Sequence, residues 1–341
     1  IEGYDGPPVR IMEVCGTHTH EIFRLGIRKL LPEQVELISG PGCPVCVTQV
    51  GFIDEAIYLA LERQVTICTF GDLVRVPGTN MSLAGARERG AKIRIVYSPV
   101  DAKEYAKEHP KEQVTFLSVG FETTTPSACL SVKKAREEGL TNYSILTANK
   151  TMPQAYEALK GSADIFLYPG HVNAITGTKL CEELAKEGVS GVVAGFTAKE
   201  LLTALAVALA RFQEGRPFFV NCYPRVVTEN GSPQAQKLVE EMMEPCDSEW
   251  RGLGVIKGSG MRLQEEWSAF DARKKYKIPL IQGKANPACR CGDVLQGKCK
   301  PSDCKVFGKV CTPQHPIGAC MVSGEGACSA YYMYGEAEKM K

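Results

Sequence analysis

The chain has 341 residues, 40 Lys+Arg against 39 Asp+Glu for a net charge of +1, and 44% hydrophobic residues. So even a balance argues against recognition of nucleic acid through bulk electrostatics, and no run reaches the ~18 apolar residues of a membrane span. Fifteen cysteines is a high count, but a secreted disulfide scaffold would be short and loop-rich throughout, which this chain is not. Seven of the fifteen lie between Cys289 and Cys328, so the expectation is a cytoplasmic protein that uses thiols for metal and redox chemistry. No signal peptide is recognisable; the chain opens at Ile1 without a methionine, which leaves targeting upstream open.

The predicted elements alternate. Residues 9–14 read as a strand, 20–31 as a helix stopped by Pro32, 35–38 as a strand and 49–63 as a helix. A strand at 65–70, a helix at 82–90 and a strand at 93–96 follow. The pattern then restarts: strands at 114–119, 143–148, 165–168 and 189–193 alternate with helices at 124–138, 154–159, 178–186 and 197–214. Alternation of this kind favours parallel sheets with right-handed crossovers. Past Phe218 the period blurs, with one helix expected at 232–243, and after about Pro279 Gly, Pro, Lys and Cys dominate. That last stretch lacks the apolar periodicity of a core and needs a staple. The reading is α/β: two parallel-sheet domains around a cleft, at 1–98 and 99–222, and a C-terminal thiol-rich domain at 223–341.

In open parallel sheets, sites form at the carboxyl ends of strands. The unusual loops here fall at such ends: CGTHTH (15–20), GPGCPVC (40–46), GFETTTP (120–126), NKTMP (149–153) and YPGHVNAITG (168–177). The two-residue spacing of Cys43 and Cys46 lets the sulfurs reach each other or one metal ion; a redox pair, half a zinc site and two buried thiols all fit, and the proline and preceding strand favour the first. Cys15 with His18 combines a thiolate and an imidazole, ligands for iron or zinc or a nucleophile with its base, whereas His20 reads as a bystander. Glu122 is placed to hold a proton or a cation, and Thr123 or Thr124 to cap a helix. His171 reads as a loop hydrogen-bonder.

Cys289, Cys304, Cys311 and Cys328 are separated by 14, 6 and 16 residues, with Cys291, Cys299 and Cys320 among them. A zinc domain would show paired close knuckles; dispersed thiolates in a Gly/Pro-rich segment suit an iron–sulfur cluster, with zinc or disulfides as alternatives. Phosphate-binding and dinucleotide-binding glycine motifs are absent from the sequence.

Taken together, CGTHTH, GPGCPVCVT, GFETTTP, GHVNAITG and the cysteine-rich run from Cys289 to Tyr332 resemble the HypD family of hydrogenase maturation factors over essentially the whole chain. The resemblance implies a [4Fe-4S] cluster on Cys289, Cys304, Cys311 and Cys328, which makes 223–341 an iron–sulfur domain. It also implies three essential thiols at Cys15, Cys43 and Cys46, close enough to hold iron. It further implies a scaffold and metallochaperone rather than a turnover enzyme. On it, in stable complex with HypC, an iron ion acquires two cyanides and one carbon monoxide. Cyanide comes from HypE in a transient contact, and the finished unit passes to a hydrogenase large subunit. Cys291, Cys299 and Cys320 are expected to be dispensable for the cluster.

Overall fold

Runs rich in Val, Ile and aromatic residues, each followed by an amphipathic stretch, build strands joined through helices. In the computed structural model, which describes residue 1 and residues 3–335, they form two parallel sheets. The first takes β1 (Val9–Glu13), β2 (Val35–Ser39), β7 (Ile165–Pro169), β8 (Ser190–Ala194) and β9 (Phe219–Asn221), in the order β2-β1-β7-β8-β9. The second takes β3 (Thr66–Thr69), β4 (Ile93–Ile95), β5 (Val114–Gly120) and β6 (Tyr143–Asn149), in the order β4-β3-β5-β6. Every residue of β5 to β8 is buried, as parallel strands covered on both faces require.

The two parallel-sheet α/β units are as expected, but the boundary at residue 98 does not separate them. Residues 1–98 supply two strands to each sheet, and the chain returns to the first sheet only after β6. Strand alternation reads the same whether a crossover stays in its sheet or changes sheets, so periodicity alone does not locate that switch.

Local differences also have physical reasons. The first helix runs Gly16–Arg24, starting at the CGTH motif, and gives way to a 3-10 turn at Ile27–Leu30. A helix at Pro99–Glu108 carries the capping box of Ser98 and Asp101, and another occupies Gly170–Thr176 in the loop containing His171. Past Phe218 the helix Pro233–Met242 leads into an antiparallel hairpin, β10 (Met243–Trp250) and β11 (Gly254–Leu263), whose first strand alternates half-buried and exposed residues between buried ends.

The segment after residue 279 holds only short helices, among them Cys291–Leu295 and Ala327–Tyr334, and 3-10 turns at Pro301–Asp303 and Ala319–Met321. It lies on the body and has no core of its own. Cys291, Leu295 and Cys320 join Met12, Cys43 and Cys46, while Ala319 and Val322 join the apolar side chains beneath the second sheet. The expected domain 223–341 is thus a hairpin plus a segment packed on both sheets; its last residues, 336–341, lie outside the described ones.

Candidate thiol site

The site begins with strand register. β1 pairs β2 level along its length, Val9 opposite Val35 through to Glu13 opposite Ser39, so the loops leaving the two strands run side by side. The Gly16 amide donates to the Gly42 carbonyl at 3.0 Å, and a Cβ on Gly42 would overlap the backbone of Cys15. Only glycine permits that approach. A Cβ on Gly16 would stand 3.1 Å from Cβ of Cys43. Beneath, the buried Glu13 carboxylate fixes both loops: it accepts from Thr19 at 2.7 Å, Arg28 at 2.6 Å and Ser39 at 3.0 Å.

Cys15, Cys43 and Cys46 are all buried free thiols. Cys43 caps the short helix Pro44–Val47, its sulfur accepting from the Cys46 amide at 3.3 Å. Burial pushes the Cys15 thiol up to about 12, against the pull of the His18 and Thr17 amides. Cys46 is driven well above the ordinary thiol value by burial, by Cys43, and by the charges of Cys328 and Glu325. Cys15 and Cys46 are therefore held protonated until a cation arrives to take the charge.

From the second sheet comes Glu122, whose Oε1 accepts from the Met152 amide at 2.8 Å while Oε2 is buried without a partner. Burial raises its carboxyl from 4.5 to about 7. The Tyr156 hydroxyl, buried and unpartnered, feels the charges of both Glu122 and Cys15 and so stands within electrostatic reach of each. Lys150 is buried with its Nζ donating to Ser248 at 2.6 Å and to the Glu249 carbonyl at 2.8 Å, and burial lowers it to about 7. Trp250, fully buried, stacks on Phe121 at 5.8 Å and bridges to Thr48, so the hairpin closes the space between the sheets. Thr123 makes no side-chain hydrogen bond among the described residues, and capping by Thr123 or Thr124 is not what forms here: Thr124 and Thr125 donate back to the Phe121 carbonyl.

His18 is fully buried, with Nε2–H donating to the Gly195 carbonyl at 3.0 Å, which leaves Nδ1 as a bare acceptor. Burial and His171 lower its pKa to about 3, so the ring is neutral. His171 faces the same Phe196 ring, which lies 4.9 Å from His18 and 5.2 Å from His171. His20 instead donates from Nδ1 to the Gly324 carbonyl at 2.9 Å, tying the helix to the C-terminal segment.

The C-terminal cysteines close the site from behind. Cys289, Cys304, Cys311 and Cys328 ring an apolar cavity with Phe307 and Met321; burial foremost, then the charges of the other three, raises the Cys328 thiol, and Cys289 is raised by burial and by Cys311 and Cys304. Among the described residues no three of His, Cys, Asp or Glu converge on a single-ion site. Four soft donors spread around one cavity fit a polynuclear cluster better than one tetrahedral ion. Cys291 and Cys320 are paired as a disulfide with Cα atoms 6.4 Å apart, so neither is a free thiol. Cys299 is a free thiol.

A family model described as "HypD: Hydrogenase formation hypA family" matches residues 2–335. The chain belongs to the HypD family. It is 43% identical to the hydrogenase maturation factor HypD of Escherichia coli over 97% of this chain and 90% of that protein. The corresponding figures are 42%, 98% and 92% for the HypD of Cupriavidus necator, and 44%, 95% and 88% for that of Rhizobium leguminosarum bv. viciae. Its role lies in hydrogenase maturation, and no helix among the described residues is long and apolar enough to cross a membrane.

In this HypD-family chain the sequence motifs lead to Cys15, Cys43 and Cys46 on adjoining loops, to His18 and Glu122, and to four further thiols around a cavity of their own. They do not lead to Glu325, which accepts from the Thr17 hydroxyl at 2.6 Å and whose charge reaches Cys15 and Cys46. A signal existed: an acid between two glycines, three residues before Cys328. Tyr156 had none, since an aromatic on an amphipathic helix reads as core.

Proposed function

We propose that this HypD-family chain is the scaffold on which an iron ion receives two cyanides and one carbon monoxide before transfer to a [NiFe]-hydrogenase large subunit. It works in the cytoplasm, in stable complex with HypC, and takes cyanide from HypE in a transient contact; neither nucleic acid nor a membrane is needed. The observation that carries this reading is the contact of the Cys15 backbone with the Cys43–Cys46 loop. That contact sets three buried thiols on adjoining loops, which supports reading Cys15 as a ligand of the cargo iron and Cys43 with Cys46 as a dithiol that carries two electrons.

Cys15 is the principal ligand of the cargo iron, with Cys43 and Cys46 close enough to share it. A thiolate donates charge that low-spin iron returns into cyanide and carbon monoxide. Binding expels the Cys15 proton, and the neutral His18 Nδ1 and the Glu122 carboxylate are the buried bases nearby. Thr123 lines the same loop as Glu122. Release of cyanide from a thiocyanate needs two electrons. The Cys43–Cys46 dithiol supplies them: thiocyanate plus dithiol gives thiolate, cyanide, disulfide and two protons. The four thiols Cys289, Cys304, Cys311 and Cys328 would hold a [4Fe-4S] cluster, which supplies single electrons when bound. The Cys291–Cys320 disulfide packs in the same core as Cys43 and Cys46 and keeps that segment against the dithiol.

The test is anaerobic purification with the small partner, followed by infrared spectroscopy and iron analysis. Cyanide and carbon monoxide stretching bands are expected, and are lost in Cys15→Ala while the cluster's absorption near ~400 nm persists. Absence of both bands from the wild-type complex would defeat the scaffold reading. Bands unchanged in Cys15→Ala at full iron would move the cargo to Cys43 and Cys46.

A further inference from the structure

The loop that leaves β3, FGDLVRVPGT (70–79), takes no part in the thiol site and walls a groove of about 900 Å³ instead. Its other walls are the extended stretch 284–287 and the turn 314–317. The three are fixed to one another. The Asp54 carboxylate, on helix Val50–Glu62, accepts from the Thr79 amide at 2.8 Å and from the Thr79 hydroxyl at 2.5 Å, and the Lys284 amide donates to that hydroxyl at 2.8 Å. A Cβ on Gly283 would stand 2.1 Å from the Gly51 nitrogen, so glycine is what lets the stretch pass over the helix. Arg75 donates to the Pro313 carbonyl at 2.7 Å and joins the first wall to the third. The groove is therefore preformed.

Its charge is one-sided. Arg75, Lys284, His315 and the partly exposed Arg251 line it, against one acid, Glu88. Arg75, Arg251 and Lys284 form no ion pair among the described residues. Asp54 is taken up by Thr79, and the exposed Glu249 does not line the groove. The whole chain carries only +1, so this excess is local. The groove also borders the four-thiol cavity: the Ile317 amide in its third wall donates to Cys311 Sγ at 3.4 Å, and the Cys289 amide donates to the Asn286 carbonyl in its second wall at 3.0 Å.

We propose that this groove is the docking face for a small acidic protein that carries single electrons and delivers them to the four-thiol centre behind Asn286 and Ile317. The inference rests on the cluster reading above. Each encounter oxidises the carrier by one electron and reduces the centre by one, and no bond or proton is exchanged. Encounters between electron carriers use small, charge-matched patches, which a rigid groove with unpaired cations supplies.

The experiment uses the full chain, purified anaerobically, alone and in complex with HypC. The probe is an acidic plant-type ferredoxin. Its binding is measured by calorimetry at ~20 mM and ~150 mM salt, since salt screens attraction between exposed charges. Stopped-flow bleaching of the absorption near ~400 nm by the reduced probe reads electron delivery. Lys284→Glu reverses a charge whose side chain makes no hydrogen bond among the described residues, and should weaken binding about tenfold at low salt and slow bleaching in step. Reduction by a zwitterionic viologen, which needs no docking face, should stay unchanged. Arg75→Gln should weaken binding too, and Arg75→Lys, which keeps the charge, should restore it. Lys237→Glu, exposed on helix Pro233–Met242 and outside the groove, is the control for bulk charge. Absence of binding, binding indifferent to salt and to Lys284→Glu, or equal weakening by Lys237→Glu would overturn the proposal. Loss of binding in the complex would overturn it as well and assign the groove to HypC. If the chain carries no cluster absorption, the cluster reading fails, and binding alone decides the docking face.

Discussion

The two-sheet body and the cysteine-rich segment are built by different physics. The body buries whole strands: all seven residues of β5, all seven of β6, and all of β7 and β8 are out of solvent. The segment after residue 279 has few regular hydrogen bonds and borrows the body's apolar side chains. Its own fixtures are covalent or ligand-like: the Cys291–Cys320 bond and four thiols around one cavity. The body's stability is thus spread over many side chains, while the segment's is concentrated in a few sulfurs. The thiols meet along the seam, where Cys15 and Cys43 come from the body and Cys289 and Cys328 from the segment.

That contrast breaks most sharply at one of the four thiols proposed to hold the cluster. Replacing Cys304 by Ala should abolish cluster iron and its absorption and free residues 280–335 to exchange amide hydrogens, while amides of β5 to β8 stay protected. Full iron with unchanged exchange would refute both the ligand assignment and the concentration of stability. Cutting the covalent fixture is the next largest effect. The bond closes a sequence separation of 29 residues, for which chain entropy predicts ~3–4 kcal/mol, so Cys291→Ala should lower the stability of the segment by about that amount. Cys299→Ala, with no partner to lose, is the control. Equal effects from the two would show that the bond carries no load.

How much of this was legible in sequence follows the same division. Eight of the nine strands of the body's two sheets are apolar runs with β-branched residues, and their positions agree with the structure to within a residue or two; the short β9 was not expected. The exchange of strands between sheets was not legible, because Val65 to Phe70 looks alike whichever sheet receives it. The hairpin β10–β11 was missed because Cys246, Asp247 and Ser248 blur its alternation where the register slips. At the site, residue types of rare chemistry showed themselves: paired cysteines, CGTH and the Glu122 of GFETTTP. Side chains whose role depends on burial alone did not, Tyr156 among them, since an aromatic on an amphipathic helix reads as core.

The body side of the seam carries its own test in Glu122. Its folded pKa, about 7, lies above the ordinary 4.5, so between these values the native state holds more protons than the unfolded chain. Stability linked to this group is therefore greatest below pH 4.5 and falls as pH rises to about 7. Glu122→Gln removes that dependence and should stabilise the protein relative to wild type at pH 8 more than at pH 5, by up to on the order of 3 kcal/mol. A difference that is flat from pH 5 to 8 would mean that the carboxyl is solvated. The effect should appear in the unfolding of the body and leave exchange in the cysteine-rich segment unchanged.

The smallest expected effect belongs to the bond that crosses the seam. Thr17 Oγ1 donates to Glu325 Oε1 at 2.6 Å, joining the first turn of helix Gly16–Arg24 to the turn before helix Ala327–Tyr334. The two helices also meet through the edge contact of Phe23 with Tyr331 at 5.6 Å, so the hydrogen bond is one attachment among several. A hydrogen bond to a charged acceptor contributes ~1.5–3 kcal/mol, and partial exposure puts this one at the lower end. Thr17→Val keeps the shape and removes the donor. It should raise exchange about tenfold in the segment near residues 323–334, the factor that corresponds to ~1.4 kcal/mol, with little change in the sheets. Exchange rising equally in β5 and β6 would show that body and segment unfold as one unit. No change anywhere would show that the apolar helix contact alone holds the segment in place, with Glu325 left to act on Cys15 and Cys46 through its charge.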